Sequence, residues 1–130
     1  MSYKILIADF FRAVIAKLTR QGVNVGGTAA YPRTEVHSVV EDAPLTKDGT
    51  LRHITCTVEV ITDTKVADAV EIMQENAVRL FTEKGLAVPG ATLVGLVPGQ
   101  VRLFEEQETS DSARVLYRIL QDMECWIENS

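Results

Sequence analysis

The sequence is poor in the residues from which small proteins build chemical sites. It holds two cysteines and two histidines in 130 residues. A secreted domain of this size stapled by disulfides would carry more cysteine, so Cys56 and Cys125 read as buried thiols in a reducing compartment. His53 and Cys56 stand three apart in a strand-like stretch and therefore point to opposite faces, which keeps them from sharing a metal ion. His37 and Cys125 with an acid are the material for a nucleophilic triad, but nothing local marks either as activated. Basic charge is also scarce: 13 Lys and Arg against 18 Asp and Glu give a formal net charge of −5. A general nucleic-acid-binding surface needs clustered cations, so that class is excluded. No apolar run approaches the roughly 20 residues that cross a bilayer. The apolar opening, MSYKILIADFFRAVIAKL, is interrupted by Asp9, Arg12 and Lys17, and no small-residue cleavage pattern follows. It reads as a helix, and the protein is expected to be cytosolic. Gly26-Gly27 lacks both the Gly-Lys-Ser/Thr of a phosphate loop and the third glycine of a dinucleotide site, so it reads as a connection. No catalytic residue, metal or cofactor is expected.

What is present is patterned hydrophobicity. The chain turns on 51–85, LRHITCTVEVITDTKVADAVEIMQENAVRLFTEKG. Ile54, Cys56, Val58 and Val60 alternate with His53, Thr55, Thr57, Glu59 and Ile61, the period of a strand. Asp63 and Thr64 offer oxygens to cap a helix. Val66, Ala69, Val70, Met73, Ala77, Leu80 and Phe81 then form one helical stripe, closed by Lys84 and Gly85. Upstream, Ile7, Phe11, Val14, Ile15 and Leu18 mark a first helix from Tyr3 to about Arg20. A strand at 35–40 pairs with 51–62 through a long tip containing Pro44 and Asp48-Gly49. Downstream, strands at 92–96 and 101–106 flank a turn at Val97-Pro98-Gly99-Gln100. A long last strand runs from Arg114 to about Ile127.

This order predicts one domain over residues 1–130. The fold class is α+β: a mainly antiparallel sheet of four to five strands with two helices packed on one face.

Two surface features stand out. Glu105, Glu106, Glu108 and Asp111 make an acidic patch around one loop, which suits a solvated surface, a face that must not hold DNA, or docking to a basic partner. Ser110 and Ser112 beside them are turn formers. On the last strand, Leu116, Leu120 and Trp126 interrupt an otherwise polar face on which Arg114 and Arg118 lie, which marks a contact surface.

The opening helix ILIADFFRAVIAKL, the loop to Tyr31-Pro32, the strand HITCTVEVIT, the helix TKVADAVEIMQENAVRLF, the hairpin into an acidic loop and the final strand RVLYRILQDMECWIE follow one another across nearly the whole chain. This order resembles the tail-terminator, or tail-completion, proteins of long-tailed bacteriophages. The long tip LTKDGTL and the loop EEQETSD depart from the shortest members. The resemblance implies a subunit that assembles with copies of itself into a ring, typically a hexamer. Such a ring caps the tail tube, meets the tube protein on one side and the head-completion protein on the other, and lets DNA pass without specific binding. It implies the cytoplasm of a bacterial host during assembly, then the virion tail. The acidic residues would lie at the ring surface or lumen, and Leu116, Leu120, Trp126, Arg114 and Arg118 at subunit or partner contacts. The alternative is a small ferredoxin-like dimer that binds a ligand without catalysis, for which Tyr31, His53, Thr55 and Tyr117 are the candidate polar groups.

Overall fold

In the computed structural model, residues 5–20, 24–26, 30–42, 51–82, 86, 88–107 and 115–129 are described. They form α1 (Ile7–Arg20), β1 (Arg33–Glu41), β2 (Leu51–Thr62), α2 (Val66–Ala77), a π-helical turn (Val78–Thr82), β3 (Ala91–Gln107) and β4 (Val115–Asn129). The four strands lie in the order β1-β2-β4-β3, each antiparallel to its neighbours. The fold is α+β, as the alternation and the two helical stripes predict.

The inward set of β2, from Ile54 to Val60, pairs with the inward set of β4. Cys56 lies opposite Met123, Ile54 opposite Cys125 and Val60 opposite Ile119. All of these are 6% exposed or less. Leu6, Phe10, Val14 and Leu18 of the first helical segment and Ala69, Met73 and Leu80 of the second join them in one core. Each large aliphatic or aromatic side chain buried there contributes about 1.5–3 kcal/mol of transfer free energy. In α1 the buried line runs through Phe10 and Leu18, with Phe11 and Ile15 packed at its flank, so the stripe is turned slightly from the expected one.

Two buried polar clamps fix the helices to the sheet. Arg52, on the inward side of β2, is 1% exposed and pairs with Glu41 at 2.6 Å, and the other Glu41 oxygen accepts the Leu6 backbone N–H at 2.8 Å. Asn76, fully buried on α2, donates to the Thr34 hydroxyl of β1 at 3.1 Å and accepts from Arg79 at 3.1 Å.

Three local expectations change. The cap of α2 is Lys65, without a side-chain cap bond. Thr64 instead donates to Asp68 and shares a hydrogen bond with Thr62, so these oxygens close the corner before the helix. The α-helix ends at Ala77 and widens into the π turn; Lys84 and Gly85 lie outside the described residues. Finally, 92–96 and 101–106 are one strand of 17 residues. The 15-residue β4 offers partners along that whole length, and the Pro98-Gly99 pair is taken up as a bulge between Pro98 and Val101. Proline is tolerated there because β3 is an edge strand. Gly99 lies close against β4: a Cβ there would meet the Asp122 Cβ and backbone oxygen tightly, at 3.2 Å.

Candidate functional site

One face of the sheet carries the helices. On the other, three rungs of side chains run across the strands. In the first, the His37 ring meets Glu59 at 2.8 Å, Glu59 accepts from Arg118 at 3.1 Å, and Arg118 reaches Glu106 at 3.4 Å. The rung touches all four strands. The His37 ring also meets the Ser38 hydroxyl at 2.8 Å. Burial pulls the Arg118 pKa down, but the hydrogen bond and charge of Glu59, with Glu106, more than reverse it, and the net shift is upward.

In the second rung Asp122 of β4 accepts two hydrogen bonds from Arg102 of β3, at 2.8 and 3.1 Å, and one from the Thr57 hydroxyl of β2 at 2.9 Å. The Arg102 hydrogen bonds hold the Asp122 pKa below its ordinary value against the opposing effect of burial, and Thr57 adds to the lowering. The third rung is the His53 ring tilted on Trp126, with centroids 5.0 Å apart, above Gly95 of β3. His53 Nδ1 meets Asp42, while Nε2 faces Glu124 at 3.5 Å without hydrogen-bond geometry.

Between the second and third rungs lies a solvent-open hollow of about 480 Å³, lined by Ser38, Thr55, Thr57, Gln100, Asp122 and Glu124 among others. It sits where the edge strands bulge, between His37 and Val40 on β1 and between Pro98 and Val101 on β3. Ser38 adopts φ +56°, which places the β1 bulge in the left-handed region. Among its lining residues, Ser38, Thr57, Gln100 and Asp122 are each held by a hydrogen-bond partner of their own. Of the candidate ligand groups, His53 and Thr55 face this side. Tyr117 stands opposite Thr62 on the helix side, and Tyr31 lies under Arg33 at 4.6 Å, so the four do not converge.

The two cysteines lie on the helix face, buried, unbonded and opposite neighbouring partners. Burial pushes Cys56 up to about 12, with Asp122 adding to it, and burial followed by the charge of Cys56 pushes Cys125 to about 12. His53 and His37 are on the other face, so neither shares a site with a thiol. Among the described residues no three His, Cys, Asp or Glu side chains gather around a common point, and no helix is long and apolar enough to cross a membrane.

The edges of the sheet are unlike. The β1 edge is covered at Thr34, whose N–H donates to Asn24 and whose carbonyl accepts from Gly26, forming a short parallel bridge at Val25. Asn24 ties this cover down by donating to the Ala30 and Pro32 carbonyls. Among the described residues nothing pairs with the outer edge of β3. There Val101, Leu103 and Phe104 are each about half exposed, at 52, 51 and 50%.

The residues singled out from sequence fall into three groups. Leu116 is 2% exposed within the chain, outside the helix-side core, and so is covered before any partner is added. Leu120, Trp126 and Arg118 are half-buried on the face away from the helices, with Arg118 engaged by Glu59 and Glu106. Glu105 and Glu106 are exposed residues of β3, not of a loop, because β3 pairs with β4 as far as Gln107. Glu108, Asp111 and Arg114 lie outside the described residues, as do Pro44 and Asp48-Gly49. The β3 edge escaped the sequence reading because the Pro-Gly pair suggested a turn. The usable signal was the alternation from Val101 to Glu106. A scan against protein-family models finds no match to this sequence, and a comparison with curated proteins finds none either.

Proposed function

We propose that this protein is a non-catalytic assembly subunit that works by presenting the β3 edge and the adjoining sheet face to other subunits. The observation that carries this is the second half of β3. An edge strand with three large apolar side chains half in water offers backbone donors, backbone acceptors and apolar area together, the combination used in strand addition. Monomers that stay monomers blunt such edges, and among the described residues this chain does so at β1 but not at β3.

Together with the order of elements, this favours a ring-forming tail terminator of a long-tailed bacteriophage. In such a ring, β3 of each subunit would meet an unlike surface of the next. Glu105 and Glu106, projecting from the same strand, would keep the ring surface acidic, so DNA could slide past without adhering. The polar rungs fit a scaffold better than a reaction centre. Most of their charged groups neutralise one another at hydrogen-bond distance and hold the four strands in register.

The hollow at the two bulges is the observation favouring a ligand-binding module instead. Its openness to solvent and its paired side chains make it the weaker reading.

Two tests apply. The genes beside its own should encode a tail tube protein and a head-joining protein. Electron microscopy of tail tubes lacking their terminator, mixed with the purified protein, should show a ring on one tube end. Uncapped tubes that keep elongating in its presence would count against the proposal.

A further inference from the structure

The unprotected part of β3 is short and has a particular order of side chains. Pro98 and the bulges at Leu93–Gly95 and Pro98–Val101 interrupt the first half of the strand, so among the described residues regular pairing along the outer edge is open to Val101–Glu106. In that segment Val101, Leu103 and Glu105 share the helix side of the sheet. Arg102, Phe104 and Glu106 share the other side, as their partners on β4 show.

Two copies of one strand pair antiparallel only about a two-fold axis that passes through a single residue. An axis at Arg102 sets Arg102 against itself, and one at Glu105 sets Glu105 against itself, both like-charge contacts. An axis at Leu103 sets Glu106 against Gln100 in the bulge and gives neither charge an opposite partner. An axis at Phe104 sets Arg102, beside its own Asp122, against Glu106 of the other copy, beside its own Arg118, twice, and stacks the two Phe104 rings. On the opposite side it lays the stem of Glu105 over the exposed Leu103.

We propose that in solution the free protein pairs with a second copy of itself, β3 against β3 about a two-fold axis at Phe104, into one continuous eight-stranded sheet. This deepens the assembly reading and rests on it. A ring with one face toward the tube and another toward the head cannot contain this two-fold, so the pair is a resting form that shields the edge and must open before β3 meets its place in the ring.

The test is cysteine cross-linking. Cys56 and Cys125 are buried, so a new surface thiol reports alone. Only a residue on the axis meets its own copy. Phe104→Cys should form a covalent dimer under mild oxidation, while Val94→Cys, exposed in the first bulge of the same strand, should stay single. Glu106→Gln should weaken the dimer several-fold in sedimentation equilibrium, whereas Glu105→Gln, which keeps the stem that lies over Leu103, should leave it unchanged. Circular dichroism checks that every variant folds. Associated species that do not cross-link at 104, or a Glu106→Gln variant that associates as tightly as the parent, overturn the pair while leaving the assembly reading intact. A protein that stays monomeric at every concentration also overturns the pair, and the tube-end experiment then judges the assembly reading independently.

Discussion

Arg52 and Glu41 face each other at 2.6 Å from adjacent strands with almost no solvent on either side chain, at 1 and 6% exposure. The second Glu41 oxygen holds the Leu6 N–H just before the first helix, so one carboxylate joins β1, β2 and the start of α1. A buried pair of this kind stabilises little relative to an apolar pair of the same shape, but losing one partner strands a charge.

Glu41→Ala or Arg52→Ala should therefore lower unfolding free energy by about 3–5 kcal/mol, read from urea denaturation. The double change Glu41→Leu with Arg52→Met should recover most of that loss. A double variant as unstable as the singles would show that hydrogen bonding to Leu6, not the stranded charge, dominates.

The second rung gives a pH prediction. Arg102 lowers the folded pKa of Asp122 below its unfolded value near 3.8. A depressed carboxylate contributes stability above the unfolded value and loses it as pH falls through the folded one. Asp122→Asn should flatten the stability profile below about pH 4 and leave its shape near neutrality unchanged. Melting temperatures between pH 2 and 7 check this, and parallel curves for parent and variant would refute it.

The thiols act at the other end. Both folded cysteines titrate near 12 against an ordinary value of 9.0. A raised pKa leaves stability intact below the unfolded value and removes it as pH climbs toward the folded one, so stability should decline between pH 9 and 12. Replacing both with alanine should remove that component of the decline. In the native protein at pH 8, neither thiol should react with a disulfide reagent faster than the chain unfolds.

The third rung supplies a reporter. Trp126 is the single tryptophan and His53 lies against it. His53→Gln, which removes the ring packed on the indole, should change Trp126 fluorescence. Trp126→Ala should lower the melting temperature, because the ring packs on His53 and Gly95. An Ala variant that melts like the parent would mean the ring is idle in the free chain.

How far the sequence could be read follows from these particulars. The alternation from Ile54 to Val60 and its echo from Val115 to Ile127 announced both central strands, because burial on one face enforces a period of two, but not that they pair with each other. The first helix and the opposite placement of His53 and Cys56 were legible for the same reason. Arg52 was visible as a charge in line with Ile54 and Cys56, but its partner Glu41 lies across a connection whose length hides the register. Asn76 falls within the helical stripe, yet only the fold shows that Thr34 waits for it. Pro98-Gly99 misled because a turn and an edge bulge use the same residues, and the choice depends on how long β4 is. The open edge belongs to strand order, which no single stretch of sequence encodes.

If the second half of β3 is where this molecule meets others, the backbone there should register the contact. Amide hydrogen exchange across a concentration series, with and without tail tubes, measures it directly. Amides in 101–107 should become protected in step with the associated mass while those of β1 stay constant. Association that leaves 101–107 exchanging as fast as in dilute protein would contradict it.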